Sequence, residues 1–407
     1  MLLTYRFKLR PTRAQYALLV GVLEQQRQLY NAALQERIEA WRKANVPVTK
    51  LDQFKALTQI RAFDDTYASL PVAMSRWSIA RVDDAFKGFF GRVKRGVKAG
   101  FPRFRSFHRW RSFGFDEWNG IRIRGDRLLF KPFQNGLRMK MHRPIPDGAV
   151  FKSCTFTKVG RHWYVSLAVD VAAAAEHPMP DTVIGLDFGL EYLLTTSDGV
   201  HVENSRPGKK RQKQLRKAQR ALARCRRGSN RRRKARERLA RLQRRTANAR
   251  STYLHQVAAP LARRYALIAV EKLRVKNMVR SARGTADEPG RNVRQKAGLN
   301  RSMHDASAAR LFDYLSYKAE RAGGTLVRVD ARNTSQDCSS CGERVPKDLS
   351  QRMHRCGCGA ELHRDHNAAL NILQRALQAH GRARPPGDAN VGQWPVRRLG
   401  NAEVQAA

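Results

Sequence analysis

Four of the chain's six cysteines are crowded into one short segment, and this segment constrains the fold more than any other part of the sequence. The pairs Cys338-x-x-Cys341 and Cys356-x-Cys358 are separated by fourteen residues. Two cysteine pairs at this separation can form the two knuckles of a single tetrahedral zinc site. Because four thiolates leave no coordination position open for water, the spacing predicts one structural zinc ion.

Alternatives to this zinc site remain open from the residues alone. The second pair is C-x-C rather than C-x-x-C, so His354 or His363 could replace Cys356 or Cys358 as a ligand. The four thiols could instead be reduced structural cysteines or contain a redox pair. The other two cysteines lie too far away in the sequence to indicate a disulfide framework, which fits a reducing compartment.

The charge of the chain indicates a polyanionic partner. The 407 residues carry a formal net charge of +45, and self-repulsion of this size needs compensation. Nucleic acid is the first candidate and an anionic membrane surface the second. The N-terminus lacks the pattern of a signal peptide, and no apolar run approaches the length of a membrane span. We therefore expect an intracellular protein that does not enter a membrane.

The N-terminal third combines strand and helix patterns. Residues 1–10 alternate between apolar and basic side chains, which predicts a half-buried strand with a basic outer face. Residues 12–98 keep helical spacing and predict a small helical bundle. Residues 121–171 predict short strands of an antiparallel barrel or sandwich. The bundle and the sheet are expected to be separate parts of one architecture.

Basic and aromatic residues alternate between Phe101 and Arg111. Such mixing suits stacking on bases together with pairing to phosphates, so Arg103 and Arg105 are predicted nucleic-acid contacts. The alternative is a basic loop whose aromatic side chains reach back into a core. The residues alone do not decide between the two.

The segment from Arg206 to Arg250 is dominated by cations. Lys or Arg occupies 21 of its 45 positions, yet the apolar residues form two helical stripes separated by Gly228-Ser229-Asn230. We predict two basic helices whose stripes pack against the rest of the domain, rather than a disordered basic tail. The outward residues predicted to contact nucleic acid are Arg231, Arg232, Arg233 and Lys234.

Three carboxylates stand out because of where they occur. Asp187 lies in an apolar strand, Glu271 ends another, and Asp365 begins a helix. Each alone has a simpler structural interpretation, such as a helix cap or a charged strand end. The order of the surrounding elements changes this interpretation, because it matches an RNase H-like nuclease fold, in which three such acids can hold two divalent metal ions. Magnesium is expected because the ligands are hard oxygens.

Two further segments carry structural expectations. The stretch from Gly284 to Asn300 has the composition of a mobile loop. A single helix is predicted from His304, ending at Gly323-Gly324.

Several motifs resemble those of one known family. The stretches "IGLDFGLEYLLTTSDG", "IAVEKL", "NTSQDCSSCG" and "ELHRDHNAALNIL" resemble the RuvC motifs and zinc finger of TnpB, the RNA-guided nuclease of insertion sequences. "YRFKLRPTRAQYALL" resembles the family's N-terminal segment, and "AFKGFFGRVKRGVKAGFPRF" the end of its helical domain. The resemblance covers about residues 1–375, with the motifs in the family's order.

The resemblance implies a multidomain α+β and α/β architecture. A helical recognition domain is inserted into a small β-barrel, or wedge, domain, and an RNase H-like RuvC nuclease domain with a zinc-finger insertion follows. The implied ranges are 1–10 and 106–175 for the wedge barrel, 11–105 for the recognition domain, 181–334 and 361–380 for RuvC, 335–360 for the zinc finger, and 381–407 for a disordered tail.

The resemblance also implies a function. The protein would be an RNA-guided DNA endonuclease that cleaves beside a short flanking motif, with a guide RNA, double-stranded and single-stranded target DNA as partners, and two Mg²⁺ and one Zn²⁺ as cofactors. It would act in a prokaryotic cytoplasm, at the nucleoid when bound to DNA. Arg76 and Trp77, expected to be exposed at the start of a helix, are candidates for reading the motif. The implied catalytic and magnesium ligands are Asp187, Glu271 and Asp365, and the implied zinc ligands are Cys338, Cys341, Cys356 and Cys358.

The sequence departs from the family at the short second cysteine pair and at His363, where many members have an aspartate. Three other functions compete with the implied one. A compact type V CRISPR effector shares the same plan. A catalytically silent RNA-guided regulator would lack at least one acid, whereas all three are present. A plain DNA-binding regulator of transposition would need neither buried acids nor so much positive charge.

Overall fold

The computed structural model describes residues 1–381 except 173, 175, 286 and 349. The chain divides into two compact units, Met1–Ala172 and a second that begins at Ala173. Of the predicted disordered tail, residues 382–407 lie outside the described residues.

The first unit combines a helical bundle with one antiparallel sheet. Thr12 starts the first helix through a reciprocal cap, in which its hydroxyl accepts from the Gln15 N–H at 3.2 Å and the Gln15 side chain accepts from the Thr12 N–H at 3.1 Å. The elements are β1 (Leu2–Leu9), α1 (Arg13–Ala44), α2 (Lys50–Phe63), α3 (Asp65–Ala68), α4 (Val72–Lys94), β2 (Ser112–Phe115), β3 (Ile121–Arg124), β4 (Arg127–Phe130), β5 (Phe133–Lys140), β6 (Val150–Val159) and β7 (His162–Asp170).

The first strand has the predicted alternation, with Leu3, Tyr5, Phe7 and Leu9 buried. The prediction of a closed barrel is wrong, because no hydrogen bonds among the described residues join the two ends of the sheet. The strand order is β2-β6-β7-β1-β5-β4-β3, and the two end strands do not pair with each other in this fully described unit. Both end strands are only four residues long, and short edge strands of this kind leave a sheet open rather than completing a barrel.

The second unit is built on a five-stranded mixed sheet with the order β10-β9-β8-β11-β12. The strands β8, β11 and β12 run parallel, and β9 and β10 extend the sheet antiparallel from β8. Its elements are β8 (Val183–Phe188), β9 (Tyr192–Thr196), β10 (His201–Glu203), α5 (Pro207–Lys210), α6 (Gln212–Ala223), α7 (Asn230–Arg264), β11 (Leu267–Glu271), α8 (Val275–Met278), α9 (Val293–Ala306), α10 (Ala308–Arg321), β12 (Thr325–Val329), β13 (Met353–Arg355), β14 (Glu361–His363) and α11 (Arg364–Ala379).

The basic segment forms the two predicted helices, but its apolar stripes do not pack as predicted. The helix α6 packs on the N-terminal part of α7, so the two stripes face each other instead of the rest of the domain. Only the later part of α7, including Leu254, Val257, Ala258 and Leu261, joins the core under the sheet. The helix α7 therefore extends well past the predicted end at Arg250.

Two expectations for the segment before β12 are wrong. Residues from Val293 onward form α9 rather than a mobile loop, because Met303 and Ala306 bury one face of this helix. The single predicted helix is divided in two at Ser307, whose φ of 58° lies in the left-handed region. The helix α9 therefore ends at Ala306, and α10 begins at Ala308.

Candidate active site and metal-binding cysteines

The three predicted acids lie at the carboxyl ends of two parallel strands and at the start of a helix. Asp187 and Glu271 come near the ends of β8 and β11, and the pairing of Leu186 with Val270 places the two acids side by side. Asp365 is the second residue of α11, where the His363 ring nitrogen accepts from the Asp365 N–H at 3.2 Å. The end of a parallel sheet is where α/β proteins commonly bind ligands.

The helix α11 reaches this site by crossing β8 at Gly185. A Cβ at Gly185 would lie 2.1 Å from the Ala369 carbonyl oxygen and 2.8 Å from the Leu373 Cβ. Only a residue without a side chain lets the helix backbone approach the strand this closely. The first turn of the helix therefore faces the loop after β8, where a Cβ at Gly189 would lie 4.0 Å from Asp365 Oδ2.

Mutual repulsion and burial dominate the electrostatics of the acids. Burial raises the pKa of Asp187 well above its ordinary value, and the charges of Glu271 and Asp365 raise it further, while Arg364 acts in the opposite direction. The Asp187 carboxyl shares a hydrogen bond with Glu271. Burial and the neighbouring negative charges therefore favour the protonated form of Asp187 in the absence of metal.

The pKa of Glu271 is raised less strongly. Burial raises it, whereas hydrogen bonds from Thr334 and Asp187 and the charge of Arg375 stabilise the ionised form. The Thr334 hydroxyl lies 2.9 Å from Glu271 Oε1. Neither Thr334 nor Arg375 was predicted from sequence; the four-residue spacing of Asn367, Asn371 and Arg375 on α11 was the available signal.

The four predicted zinc ligands come together. The sulfur atoms of Cys338, Cys341, Cys356 and Cys358 all lie within 4.8 Å of one another, with Sγ–Sγ distances of 3.8 Å for Cys338–Cys358 and 3.5 Å for Cys341–Cys356. Burial opposes ionisation of Cys338, but the N–H groups of Cys341 and Ser340 lower its pKa to about 6. Contacts among the thiols act in the opposite direction on two of the others: the pKa of Cys341 is raised, and that of Cys356 is raised to about 12.

Neither alternative histidine is one of the four grouped ligands, although the His354 side chain forms a hydrogen bond with Cys338. The ring of His354 contacts the Lys347 ammonium group, and the ring of His363 caps α11. Among the residues that the structure describes, the four cysteines are the one group of three or more His, Cys, Asp or Glu side chains placed to hold a metal ion. Asp187, Glu271 and Asp365 face one another but do not form a group as close as that of the cysteines.

The two residues proposed to read a flanking motif are not exposed as predicted. Arg76 and Trp77 are both half-buried, because this end of α4 packs against α1 and β2. The Arg76 guanidinium lies 5.3 Å from the centre of the Phe54 ring. Trp77 meets Trp110 edge to face at 6.4 Å. Contact with nucleic acid stays a prediction for both residues.

The basic and aromatic stretch contains both kinds of residue that were considered. Trp110 is buried, 5.0 Å from the ring of Tyr30, whereas Phe104 and Phe107 are exposed. Arg103 and Arg105 are also exposed. The backbone around Arg105 is anchored, since Asn31 accepts from its N–H at 2.8 Å and donates to its carbonyl at 3.0 Å.

Of the four outward cations predicted on α7, one faces inward. Arg231, Arg233 and Lys234 are exposed, and Arg233 pairs with Glu237 at 3.5 Å. Arg232 is half-buried and donates to the carbonyl oxygens of Leu222 at 3.2 Å and Cys225 at 3.1 Å. Its guanidinium therefore satisfies one carbonyl in the last turn of α6 and one just after it, and so joins the two helices.

No helix in the part of the chain that the structure describes is both long and apolar enough to cross a membrane.

The second unit therefore combines a mixed α/β sheet, acidic residues at the ends of parallel strands and a group of four cysteines. Family profiles match residues 166–282 ("OrfB_IS605: Probable transposase"), 309–372 ("Cas12f1-like, TNB domain") and 1–45 ("Helix-turn-helix domain"). The chain belongs to the TnpB family, the OrfB proteins of IS605-type elements.

Two relatives match over nearly their full length. The chain is 32% identical to "Putative RNA-guided DNA endonuclease InsQ" of Escherichia coli strain K12, over 91% of each chain. It is 29% identical to a Streptomyces pristinaespiralis protein with the name "Putative RNA-guided DNA endonuclease", over 98% of this chain and 95% of the other. A solved Cas12f1 chain, from a complex with single-guide RNA and target DNA, shares the fold at a TM-score of 0.57 and 14% identity, over 89% of this chain and 83% of that one.

Proposed function

We propose that this protein is an RNA-guided DNA endonuclease that hydrolyses phosphodiester bonds at Asp187, Glu271 and Asp365. The observation that carries the proposal is the meeting of these three carboxylates from β8, β11 and α11, where burial and mutual repulsion raise the pKa of Asp187. Such strain is typical of functional sites, because it is costly to keep without a purpose. The names of the two full-length relatives support the same activity.

The donor set fits magnesium. All three side chains offer hard oxygen ligands, and a divalent cation would relieve the repulsion that makes Asp187 and Glu271 share a proton. Two Mg²⁺ ions held by the three acids would supply an activated water and stabilise the leaving oxygen. A bound cation would favour the ionised form of Asp187. The Thr334 hydroxyl donates a hydrogen bond to Oε1 of Glu271.

The four cysteines would hold one structural zinc ion. Their thiols already surround a common point, and no histidine is needed to complete the set. The strand β14 leaves this finger and continues directly into α11, so the ion would brace the turn that delivers Asp365.

The basic surfaces would bind a guide RNA and both double-stranded and single-stranded target DNA. Base pairing with the guide would read most of the target, and the protein would read a short flanking motif. We assign residues 1–10 and 106–175 to a wedge domain, although its sheet is not closed by strand pairing, and 11–105 to a recognition domain. We assign 181–334 and 361–380 to a RuvC nuclease domain with the finger at 335–360. The protein would act in the cytoplasm, at the nucleoid.

Sequencing of the RNA that copurifies with the protein tests the guide, because a discrete structured RNA with a variable 3′ segment is expected. A complex rebuilt with that RNA should cut matching DNA only when Mg²⁺ is added. The Asp187→Ala variant should bind the same DNA without cutting it. A catalytically silent regulator would show RNA-guided binding without cleavage by the unaltered protein, and copurification with no RNA would contradict the proposal altogether.

A further inference from the structure

Thr334 links one of the acids to a segment outside the strands. Its hydroxyl donates to Glu271 Oε1 at 2.9 Å, across 63 positions of sequence. A second acceptor, the Ala331 carbonyl oxygen, is more distant at 3.2 Å. The side chain is 3% exposed, so water does not compete freely for this hydroxyl. A hydrogen bond to a buried carboxylate is stronger than one between neutral groups, and the Glu271 contact is therefore favoured.

Two buried asparagines on α11 hold the backbone around Thr334. The Asn371 amide donates to the Thr334 carbonyl at 2.8 Å and to the Asp337 carbonyl at 2.6 Å. Asn367 donates to the Asp337 carbonyl at 2.7 Å and accepts from the Ser339 N–H at 3.0 Å. Hydrogen bonds from α11 therefore hold the backbone of the turn that carries Thr334. They also hold the backbone at the start of the cysteine finger.

Arg375 completes the attachment one turn further along α11. It donates to the carbonyl oxygens of Asp330 at 2.9 Å and Arg332 at 2.7 Å, and to the Asp337 carboxylate at 2.9 Å. Residues spaced by four lie on one face of a helix, so Asn367, Asn371 and Arg375 form a continuous ladder along the segment 330–339. We call these three residues the α11 ladder.

The first turn of the same helix carries Asp365. One rigid element therefore contributes one acid directly and fixes the hydroxyl that contacts a second acid. Any shift of α11 would move Asp365 and Thr334 together. A carboxylate that binds a metal must be held in one orientation, and hydrogen bonds to its oxygens commonly do this.

We propose that Thr334 is a positioning residue for Glu271, and that the α11 ladder holds Thr334 in place so that Glu271 and Asp365 are set together. This inference rests on the proposed nuclease function, since it assigns the purpose of the contact to metal binding. Removal of the hydroxyl should weaken the site for Mg²⁺ about 10- to 100-fold, which is the usual effect of removing a partner of a metal ligand.

The test compares Thr334→Val, which keeps the shape but lacks the hydroxyl, with Thr334→Ser, which retains it. The matched control is Thr182→Val, at the opposite end of β8, where the hydroxyl donates to the Met179 carbonyl at 2.7 Å. One measurement is the Mg²⁺ concentration for half-maximal DNA cleavage by the guide-loaded complex. The second is the rise in unfolding temperature of the full-length, RNA-free chain as Mg²⁺ is added after dialysis, because a bound ion stabilises the folded state.

Thr334→Val should need about 10- to 100-fold more Mg²⁺ in both measurements, and Thr334→Ser should restore the unaltered values. Thr182→Val should lower the unfolding temperature without changing the Mg²⁺ dependence. If Thr334→Val does not unfold cooperatively, Thr334→Ala takes its place with the same expected result. An unchanged Mg²⁺ dependence in a folded variant that lacks the hydroxyl overturns the inference. Absence of any Mg²⁺ response in the unaltered protein contradicts the proposed function instead.

Discussion

The carbonyl oxygen of Ala369 occupies the space that a side chain at Gly185 would need. A Cβ there would lie 2.1 Å from that oxygen, a distance that no side chain can adopt without movement of the backbone. Because α11 carries Asp365, the close approach of this helix to β8 also sets the distance between the acids.

We expect Gly185→Ala to push α11 away from β8. Overpacking of this kind costs about 1–3 kcal/mol, and more when backbone must move. Cleavage should fall together with thermal stability, and both can be measured on the same preparation. The control is Gly298→Ala in α9, where the nearest atom to the added Cβ would lie 3.7 Å away. Equal stability for the two variants would mean that α11 is not held by this contact.

Asp187→Asn should stabilise the magnesium-free protein at pH 8. The pKa of Asp187 is higher in the folded chain than in the unfolded chain, so the folded state binds the proton more tightly. Asp187 therefore adds to the free energy of unfolding at low pH. This contribution is lost as the pH rises above the ordinary aspartate pKa of about 4 towards the raised pKa of Asp187 in the folded chain. The neutral asparagine avoids that loss.

Thermal unfolding at pH 5 and pH 8 without added Mg²⁺ checks this expectation. A difference of about 1 kcal/mol corresponds to roughly 2–4 °C for a domain of this size. The gain should be larger at pH 8 than at pH 5, and it should be accompanied by loss of cleavage. A variant that is less stable than the unaltered protein at pH 8 would show that the acids are not under strain.

One zinc ion should be present for each chain, measured by elemental analysis of purified protein. Cys338→Ser should reduce the zinc content and lower the unfolding temperature, because four ligands are needed to close the tetrahedral site. Cleavage should fall as well, since the finger leads into α11. Cys225→Ser, at a half-buried position between α6 and α7, should retain full zinc content. Full activity in zinc-free protein would contradict a bracing role.

Binding of the guide RNA should depend steeply on salt through the exposed cations of α7. Replacing Arg231, Arg233 and Lys234 with Gln should flatten the slope of log affinity against log salt by roughly 0.7–0.9 for each phosphate that the variant no longer neutralises. Helix content, followed by circular dichroism, should not change, since these side chains are exposed. Identical slopes for the two proteins would mean that this part of α7 does not touch RNA.

Arg232→Gln provides the contrasting variant in the same segment. Because its guanidinium donates to the carbonyl oxygens of Leu222 in α6 and of Cys225 just after it, its loss should lower the thermal stability of the protein more than it changes the salt dependence.

The parts of the site that could be predicted are those with a local signal. A carboxylate at the end of an apolar strand, as at Asp187 or Glu271, is visible in the sequence, and so is the spacing of four cysteines. Thr334 could not be identified, because a single threonine in a turn has no pattern and its partner Glu271 belongs to a distant strand. The inward position of Arg232 depends on where α6 ends, which the stripe of apolar residues does not specify.

The same limit explains the errors in the fold. The alternation of apolar and polar residues predicts β1 correctly. It gives no information on whether the end strands β2 and β3 pair, because closure of a barrel depends on the stagger between strands across the whole sheet. The helical spacing of apolar residues continues through Ser307. That spacing does not reveal that Ser307 itself has a left-handed backbone conformation. The half-buried position of Arg76 could not be predicted, because it depends on how α4 packs against α2, whose Phe54 ring lies beside the guanidinium.

The position of Asp365 at the start of the last described helix also has a consequence for biosynthesis. A ribosome makes β8 and β11 first, so a nascent or prematurely terminated chain that stops before Arg364 has two acids but lacks the third. Such a fragment also lacks the α11 ladder that holds Thr334. Under the proposed mechanism, truncated products of this kind would be unable to cut DNA, and cutting ability would arise only after α11 has been made.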